Sequence, residues 1–368
     1  MARREHSDIE AVGIRARIGE MFYASGLLPP LQKLRALVRD DLRILAYHRI
    51  LDIPDTDAFE FDLELISADA DGFRAQLALL KRRFQPLPLG EMVDALVSGR
   101  RLPKNAVAVT FDDGYEDNYR VAYPILRELG VPATFFVSTG HIDSGQPFAY
   151  DWLVHMILRT GAPRLKLPEL NLDVPIPPSR SARRLFAADL LRHIKAFDSA
   201  LQMAAIMRME EEWDIPRSAS SPDCRPMSWE QLREMHASGF EIGSHGVSHQ
   251  MLAKLPDDRL HGELKQSKAT LERELHVTAP FLAYPVGGDL AFDHRVINAT
   301  KAAGYAAACS YVYGTNRRTS WNQFSLNRLP VEREMGTGWF AAMLTLPEFM
   351  GYPIKNLTTN ISDTACSS

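Results

Sequence analysis

The hydrophobic positions of this chain follow two spacings that alternate along its length. Short apolar runs predict strands, and the amphipathic segments between them predict helices. One such helix covers 115–129 and ends at Gly130. Regular alternation of strands and helices is typical of a parallel α/β barrel. The predicted strands are 42–48, 107–111, 132–137, 240–243, 281–284 and 305–309.

The alternation stops at 141–226 and resumes near Ser228. We therefore predict a helical insertion there, inside a main domain at 41–334. An insertion on the strand-end side of a barrel often shapes access to a site, but it can equally serve packing or dimerisation. The insertion is expected to contain a helix at 152–158, a Pro-rich polar stretch at 163–178 and a long helical region at 181–213.

Both ends of the chain are predicted to lie outside the main domain. Residues 1–40 have apolar positions at helical intervals around Pro29 and Pro30, which predicts an N-terminal extension of two helices. Residues 335–368 form a predicted C-terminal extension with a short apolar helix and a loose tail.

Composition narrows the function classes. The chain has 368 residues, 46% of them hydrophobic and 24% charged, which suffices for a large α/β domain. A net charge of −4 without a basic stripe argues against nucleic acid as a partner. Three widely spaced cysteines and a charged N-terminus without an apolar core favour a cytoplasmic location. Basic residues among the first 40 leave peripheral membrane contact open, and no pattern indicates the oligomeric state.

Two adjacent carboxylates follow the predicted strand at 107–111. Asp112 and Asp113 come directly after its last residue and precede Gly114. In sheets with helical crossovers, side chains converge on ligands at the carboxyl ends of the strands. One acid there can bind a cation while the other acts as a base. Asp and Gly also form ordinary turns, so this motif alone leaves both interpretations open.

A pair of histidines follows the predicted strand at 240–243. His245 and His249 are four residues apart. If the segment after Ser244 forms one turn of helix, both imidazoles lie on one face and can bind a single cation. Asp113 would complete a set of three protein ligands. Three ligands leave a position open for water, which is typical of a catalytic metal site.

These segments together resemble the metal-dependent polysaccharide deacetylases with a NodB homology domain, that is, enzymes similar to carbohydrate esterase family 4. The resemblance rests on TFDDG at 110–114, SHGVSH at 244–249 and FLAYPVG at 281–287, and it spans about residues 42–333. It implies a distorted, incomplete (β/α)7-type barrel, carrying the helical insertion predicted above. The implied reaction removes N-acetyl groups from an amino sugar or polysaccharide, so a carbohydrate is the implied partner.

The resemblance also assigns roles to individual residues. Carried onto matching positions, Asp112 is the general base, and Asp113, His245 and His249 are the metal ligands. The mixed imidazole and carboxylate set favours Zn²⁺, although Co²⁺, Ni²⁺ or Fe²⁺ can occupy the same ligands.

The chain departs from the family pattern in two places. Many members have a late histidine that acts as the general acid, but here no histidine follows His294. The third motif often holds an arginine that orients the base, and Ala283 stands at or near its place. His48, at the end of the first strand, is our candidate acid, and Arg328 is our candidate orienting charge. A histidine that merely caps the strand is the alternative for His48.

Four residues are candidates for substrate contacts. A backbone N–H near Val286 is expected to hold the tetrahedral oxyanion. Tyr284, Pro285 and Trp152 are candidate walls for the sugar, although aromatic residues at strand ends more often belong to a core.

Three functions fit these observations. The first is a sugar N-deacetylase. The second is an amidase of the same superfamily that acts on a small cyclic amide or imide, with the same ligands. The third is a non-catalytic carbohydrate-binding protein, against which the pairing of Asp112 with Asp113 argues, because a binding protein needs no base beside a metal ligand.

Overall fold

The computed structural model describes residues 2–218 and 221–352, with side-chain environments from residue 12 onward. The predicted loose tail and Cys366 lie outside the described residues. The strands are β1 (Asp41–Tyr47), β2 (Arg49–Ile50), β3 (Ile66–Ala68), β4 (Gln85–Pro86), β5 (Ala106–Phe111), β6 (Thr134–Val137), β7 (Arg164–Leu167), β8 (Leu172–Pro175), β9 (Glu241–Ser244), β10 (Phe281–Ala283), β11 (Ala307–Tyr313), β12 (Asn316–Arg317) and β13 (Leu326–Pro330).

The α-helices pack around these strands. They are α1 (Ala2–Ala24), α2 (Leu28–Val38), α3 (Ala70–Arg83), α4 (Leu89–Val97), α5 (Tyr123–Leu129), α6 (Thr139–Ser144), α7 (Ala149–Arg159), α8 (Arg180–Ile194), α9 (Ser199–Glu212), α10 (Trp229–Ala237), α11 (Asp257–Leu275), α12 (His294–Ala302), α13 (Thr337–Thr345) and α14 (Pro347–Met350).

Seven parallel strands form a closed ring in the order β1, β5, β6, β9, β10, β11, β13. The predicted (β/α)7-type barrel is therefore confirmed, and it is incomplete only in having fewer strands than an eight-stranded barrel. The ring is distorted where β9 meets β10, because a single residue pair, Leu282 with Ser244, joins them. A register shift between β11 and β13 is a second irregularity.

The seventh strand, β13, was missing from the strands predicted from sequence. Its core sequence places Asn327 and Arg328 between two leucines, a polar pair that hides the usual alternation. The structure buries Arg328 completely inside the barrel. A buried guanidinium needs a charged partner. The position of this strand therefore depends on a polar contact inside the barrel as well as on apolar packing.

The insertion has a hydrophobic core of its own, formed by α7, α8 and α9 and extended by Phe59 and Phe61 from the segment after β2. The stretch predicted as Pro-rich and polar is instead the hairpin β7–β8, in which Leu165 and Leu167 are buried and their neighbours exposed. The predicted long helical region is two helices, α8 and α9, separated by a short turn.

The two predicted N-terminal helices are present as α1 and α2. Gly19 of α1 packs so closely on α13 that a Cβ there would lie 2.5 Å from the Cα of Trp339. The side chains of α13 are buried in the main core. Within the described part of the chain, no helix combines the length and the apolar character needed to cross a bilayer.

Candidate active site and metal centre

Three side chains meet at the carboxyl ends of β5 and β9. Asp113, His245 and His249 each offer one ligand atom, and these atoms lie within 4.8 Å of one another. Asp113 Oδ1 is 3.0 Å from His249 Nε2 and 3.4 Å from His245 Nε2. Asp113 and His245 are buried, and His249 is partly exposed. The predicted ligand set is thus brought together in space.

A loop, not a helical turn, presents the two histidines. The segment after β9 has no helical residues between His245 and His249, which corrects the expected geometry. His249 has a φ of 57° and Asp113 a φ of 74°, both in the left-handed region that non-glycine residues rarely adopt. Strained backbone of this kind clusters at functional sites, because the surrounding contacts must hold it in place.

Glu263 of α11 holds this loop in shape. Its carboxylate accepts hydrogen bonds from the backbone N–H of Val247 at 2.7 Å and of Ser248 at 3.0 Å, and from the Ser248 hydroxyl at 2.5 Å. The side chain thus satisfies two backbone N–H groups of the loop that have no partner within it. Sequence analysis missed Glu263, because it reads as one more charge on a charged helix.

A backbone carbonyl fixes the orientation of His245. Its Nδ1 lies 2.8 Å from the carbonyl oxygen of Ala283, which can only accept, so Nδ1 carries the proton. In the neutral ring, Nε2 is then the unprotonated nitrogen, and it faces Asp113. Ligand histidines commonly donate their second N–H in this manner. The third motif therefore contributes a backbone atom at the place where the family often has an arginine.

The charges in the cluster are strongly coupled. Burial raises the pKa of Asp113, but the imidazoles of His249 and His245 outweigh it and hold this pKa well below its ordinary value. Burial lowers the pKa of His249. For His245, the carboxylates of Asp112 and Asp113 outweigh burial and raise the pKa. The site thus offers a carboxylate between two imidazoles.

This set of groups fits a divalent cation. Asp113 Oδ1 is buried, yet it has no hydrogen bond of acceptable geometry among the described residues, although two imidazole nitrogens face it. A buried carboxylate oxygen without a partner is costly. Two imidazole nitrogens and one carboxylate oxygen are the donor set of many catalytic zinc sites.

Asp112 is engaged differently from its neighbour. Arg328 donates two hydrogen bonds to its carboxylate, at 2.7 and 2.6 Å, while both side chains are almost fully buried. Arg328 Nε donates to the Ser310 carbonyl at 2.7 Å, so the guanidinium is itself anchored. Arg328 and His245 outweigh burial and lower the pKa of Asp112. Asp112 is therefore an ionised carboxylate held in one orientation beside the ligand cluster.

His48 reaches the same edge of the barrel. Its ring centroid is 5.2 Å from that of Tyr311, and its Nδ1 is 3.5 Å from the Tyr311 hydroxyl. The same hydroxyl lies 3.4 Å from Glu332 Oε1. The Tyr311 hydroxyl therefore lies between the imidazole of His48 and the carboxylate of Glu332. Sequence reasoning missed Tyr311, which lies within β11, and Glu332, which follows β13, because neither belongs to a motif.

The third motif supplies a backbone donor. Val286 has a φ of 64°, which is unusual for a β-branched residue. No acceptor for its N–H is present among the described residues. Pro285 is buried next to this turn, and its Cγ is 3.5 Å from the position of a Cβ on Gly246.

Two of the candidate sugar walls lie in cores. Tyr284 is fully buried, donates to the Phe324 carbonyl at 2.8 Å and stacks on Phe292. Trp152 is 4% exposed inside the insertion core and donates to the Ile215 carbonyl at 3.1 Å. Both rings are buried in structural contacts, which argues against a substrate contact by either of them.

Other residues of the insertion do border the cluster. The ring centroid of His249 is 5.2 Å from that of Phe148 and 6.2 Å from that of Tyr150. His141 stacks on Phe148 at 4.0 Å, and burial lowers its pKa to about 3. The Lys195 ammonium lies 4.9 Å from the Tyr150 ring centroid, and burial lowers its pKa. The insertion therefore places the buried ring of Phe148 and the partly exposed ring of Tyr150 beside His249, with a cation next to Tyr150.

Comparison with known proteins gives a consistent picture. The family model described as polysaccharide deacetylase matches residues 99–308. The chain is 21% identical to a putative polysaccharide deacetylase, YxkH, of Bacillus subtilis over 264 residues. The aligned region covers 71% of this chain and 64% of that protein. A poly-beta-1,6-N-acetyl-D-glucosamine N-deacetylase of Escherichia coli is 35% identical over 75 residues, or 20% of this chain and 11% of that protein. The matches thus span less than two thirds of these relatives.

A solved structure shares the fold. The Streptococcus pyogenes deacetylase PplD, solved in complex with acetate, superposes with a TM-score of 0.54 at 21% identity. The match covers 81% of this chain and 95% of that one. The likeness therefore includes the barrel and most of the elements around it.

Proposed function

The chain belongs to the polysaccharide deacetylase family, and from that premise we propose that it is a metal-dependent hydrolase that removes N-acetyl groups from an amino sugar or polysaccharide. The observation that carries the proposal is that two adjacent carboxylates have different partners. Asp113 faces two imidazoles, whereas Asp112 is held by Arg328 and belongs to no ligand cluster. One acid thus lies outside the ligand cluster, beside a cation site, in a position to accept a proton.

The proposed cofactor is one divalent cation, Zn²⁺ in the first instance, bound by Asp113, His245 and His249. When bound, such an ion supplies Lewis-acid polarisation of the acetyl carbonyl and lowers the pKa of water. The lowered pKa of Asp113 favours the carboxylate and the lowered pKa of His249 favours the neutral imidazole, which are the forms that bind a cation. Co²⁺, Ni²⁺ and Fe²⁺ remain alternatives with the same ligands.

The chain's own residues supply the proton transfers. Asp112, kept ionised by Arg328, accepts the proton of the attacking water. The N–H of Val286 donates to the oxyanion that forms as the carbonyl carbon becomes tetrahedral. His48 then protonates the leaving amine, and the C–N bond breaks to give acetate and a free amino sugar.

The identity of the substrate is the finer part of the proposal. An E. coli relative is named for poly-beta-1,6-N-acetyl-D-glucosamine, which supports an N-acetylated sugar for this chain. The partly exposed ring of Tyr150, whose centroid is 6.2 Å from that of His249, gives an apolar face of the kind that sugar rings contact. The competing candidate is an amidase for a small cyclic amide or imide, since it would use the same ligands.

A substrate panel separates these candidates. The full chain, loaded with Zn²⁺, is incubated with N-acetylglucosamine oligomers of increasing length and with small cyclic amides, and acetate and ring-opened product are measured. The proposal predicts acetate from the acetylated sugars only. Ring opening of the cyclic amides without acetate release would replace the deacetylase by the amidase, and no product from either class would favour a binding protein.

Arg328→Met tests the orienting role of the arginine. Removing one partner of a buried, hydrogen-bonded ion pair should lower the free energy of unfolding by about 3–5 kcal/mol. Because Asp112 loses its fixed orientation, we also expect turnover to fall by about a hundredfold while the metal content stays at one ion per chain. Chemical denaturation, steady-state kinetics and metal analysis give the three values. Unchanged turnover in a folded variant would remove Arg328 from the site.

His48→Gln tests the proposed acid. Loss of a positioned general acid typically costs about 10²–10⁴ in rate, so turnover should fall at least a hundredfold. Tyr311→Phe removes the hydroxyl next to His48 and should have a smaller effect in the same direction. The measurement is turnover against pH for both variants. If His48→Gln leaves turnover and its pH profile unchanged, the leaving amine takes its proton from another group.

A further inference from the structure

A cavity lies at the end of the barrel opposite the ligand cluster. It has a volume of about 320 Å³ and is bounded by the end of α2, the loop before β5 and the start of β12. These segments adjoin the amino ends of β1 and β5, whereas the metal ligands follow carboxyl ends. We call it the basal cavity; the lining residues used below are Leu37, Val38, Arg39, Arg101, Lys104 and Arg318.

The cavity has a surplus of positive charge. Arg39, Arg101 and Lys104 are exposed, and none of them forms an ion pair with a described residue. Arg318 is also exposed and pairs with Asp40 at 3.1 Å. Four cations thus face solvent with one exposed lining carboxylate, in a chain whose net charge is −4. This end of the barrel is therefore positively charged, although the chain as a whole has a negative net charge.

The second acid of the lining does not reduce this surplus. Asp41 is 2% exposed, forms a hydrogen-bonded ion pair with Arg35 and lies 3.7 Å from Arg43. Its charge is already compensated inside the protein. Two more cations, Arg100 and Arg317, are exposed next to lining residues and extend the positive surface beyond the cavity.

Large aliphatic side chains are exposed between these cations. Leu37 is 73% and Val38 72% exposed, and both line the cavity. Leu34, one turn earlier on α2, and Val97, at the end of α4, are each 59% exposed. Leu37 and Val38 therefore expose apolar surface at the same cavity that the cations line.

We propose that the basal cavity and its rim dock on an anionic lipid bilayer. Lysine and arginine side chains near a bilayer are attracted to anionic headgroups, and neighbouring aliphatic side chains gain by entering the interface. The basal cavity supplies both on one face. Because the ligand cluster lies at the other end of the barrel, a docked molecule keeps its site open to the aqueous phase. This proposal does not depend on the reaction proposed above.

Vesicle co-sedimentation of the full chain tests the proposal. The chain should bind vesicles of phosphatidylcholine mixed with phosphatidylglycerol, bind phosphatidylcholine alone far more weakly, and lose binding as salt rises. The double variant Arg101→Ala/Lys104→Ala should bind about tenfold more weakly. Leu37→Ser/Val38→Ser should weaken binding as well. Arg259→Ala/Lys265→Ala, which removes two exposed cations from α11, is the matched control and should bind as the unchanged chain does.

Several results would overturn the proposal. These are no binding to either vesicle, equal binding to both, or full binding by Arg101→Ala/Lys104→Ala. Calorimetric binding of inorganic phosphate without vesicle binding would make the cavity a site for a small anion. A dimer that Leu37→Ser/Val38→Ser dissociates, again without vesicle binding, would make the surface a contact between copies of the chain. The salt dependence of the unchanged chain needs no variant, so a variant that fails to fold does not end the test.

Discussion

Asp112→Asn should lower the rate of acetate release by about a thousandfold while the protein keeps its metal. Asparagine has nearly the shape of aspartate and retains an oxygen that can accept from Arg328, but it cannot take a proton from water at neutral pH. Positioned general bases contribute about 10²–10⁴ in rate. The measurement is turnover of the Zn²⁺-loaded variant on an N-acetylated sugar oligomer, with metal content determined on the same sample.

The Arg328→Met variant is the matched control for this effect. Both changes disturb the same buried pair, whose N–O distances are 2.7 and 2.6 Å. If Asp112 is the base, its replacement costs more turnover than the loss of its partner, because Arg328→Met leaves a carboxylate that can still accept a proton. Equal losses in the two variants would mean that the pair acts only on the fold, and Asp112 would not be the base.

His249→Ala should abolish both tight metal binding and turnover. His249 contributes one of three ligand atoms that lie within 4.8 Å of one another, so its loss leaves two. Stabilisation of transition-state charge by a bound ion is worth several kcal/mol, so we expect turnover to fall by about a thousandfold or more. Metal analysis after dialysis should give close to no ion for the variant and one ion per unchanged chain.

Two comparisons make this result specific. His294→Ala removes an exposed histidine at the start of α12 and should keep both the ion and the turnover. Treatment of the unchanged chain with a chelator should abolish turnover, and added Zn²⁺ should restore it. Full turnover in metal-free protein, or in His249→Ala, would contradict the assignment of the ligands.

The amino-acid sequence predicts the barrel because most of its strands are continuous apolar runs between turn residues. Runs such as the one in β5 are buried on all sides, and burial of this kind is typical of parallel strands. The two motifs at the ends of β5 and β9 are also visible in sequence, since ligand residues must follow strand ends to converge. The sequence therefore identifies the ligand set and its location in the fold.

The missed features depend on contacts between distant segments. Local spacing suggested a helical turn between His245 and His249, but Glu263, on the next helix, satisfies the backbone of a loop instead. The strand β13 was hidden because Arg328 interrupts its apolar pattern, and its partner Asp112 lies far away in the sequence. A buried ion pair cannot be predicted from either residue alone.

The surroundings of the site were the least predictable part. Trp152 looked like a substrate contact because it is aromatic and lies in the insertion, but it packs in the insertion core. Phe148 and Tyr150, close to it in sequence, lie beside His249 instead. Tyr150 and Trp152 lie two residues apart on α7, so the rotation of that helix decides which of the two rings borders the site, and single-chain periodicity does not fix that rotation.

A crystal structure of the Zn²⁺-loaded chain, with the ion located by its anomalous scattering, tests the central claim most directly. We predict a single ion at about 2.0–2.2 Å from Asp113 and from Nε2 of both His245 and His249, with Asp112 still paired to Arg328 and not bound to the ion. An ion that binds Asp112 instead, or that lies away from these three side chains, would contradict the account.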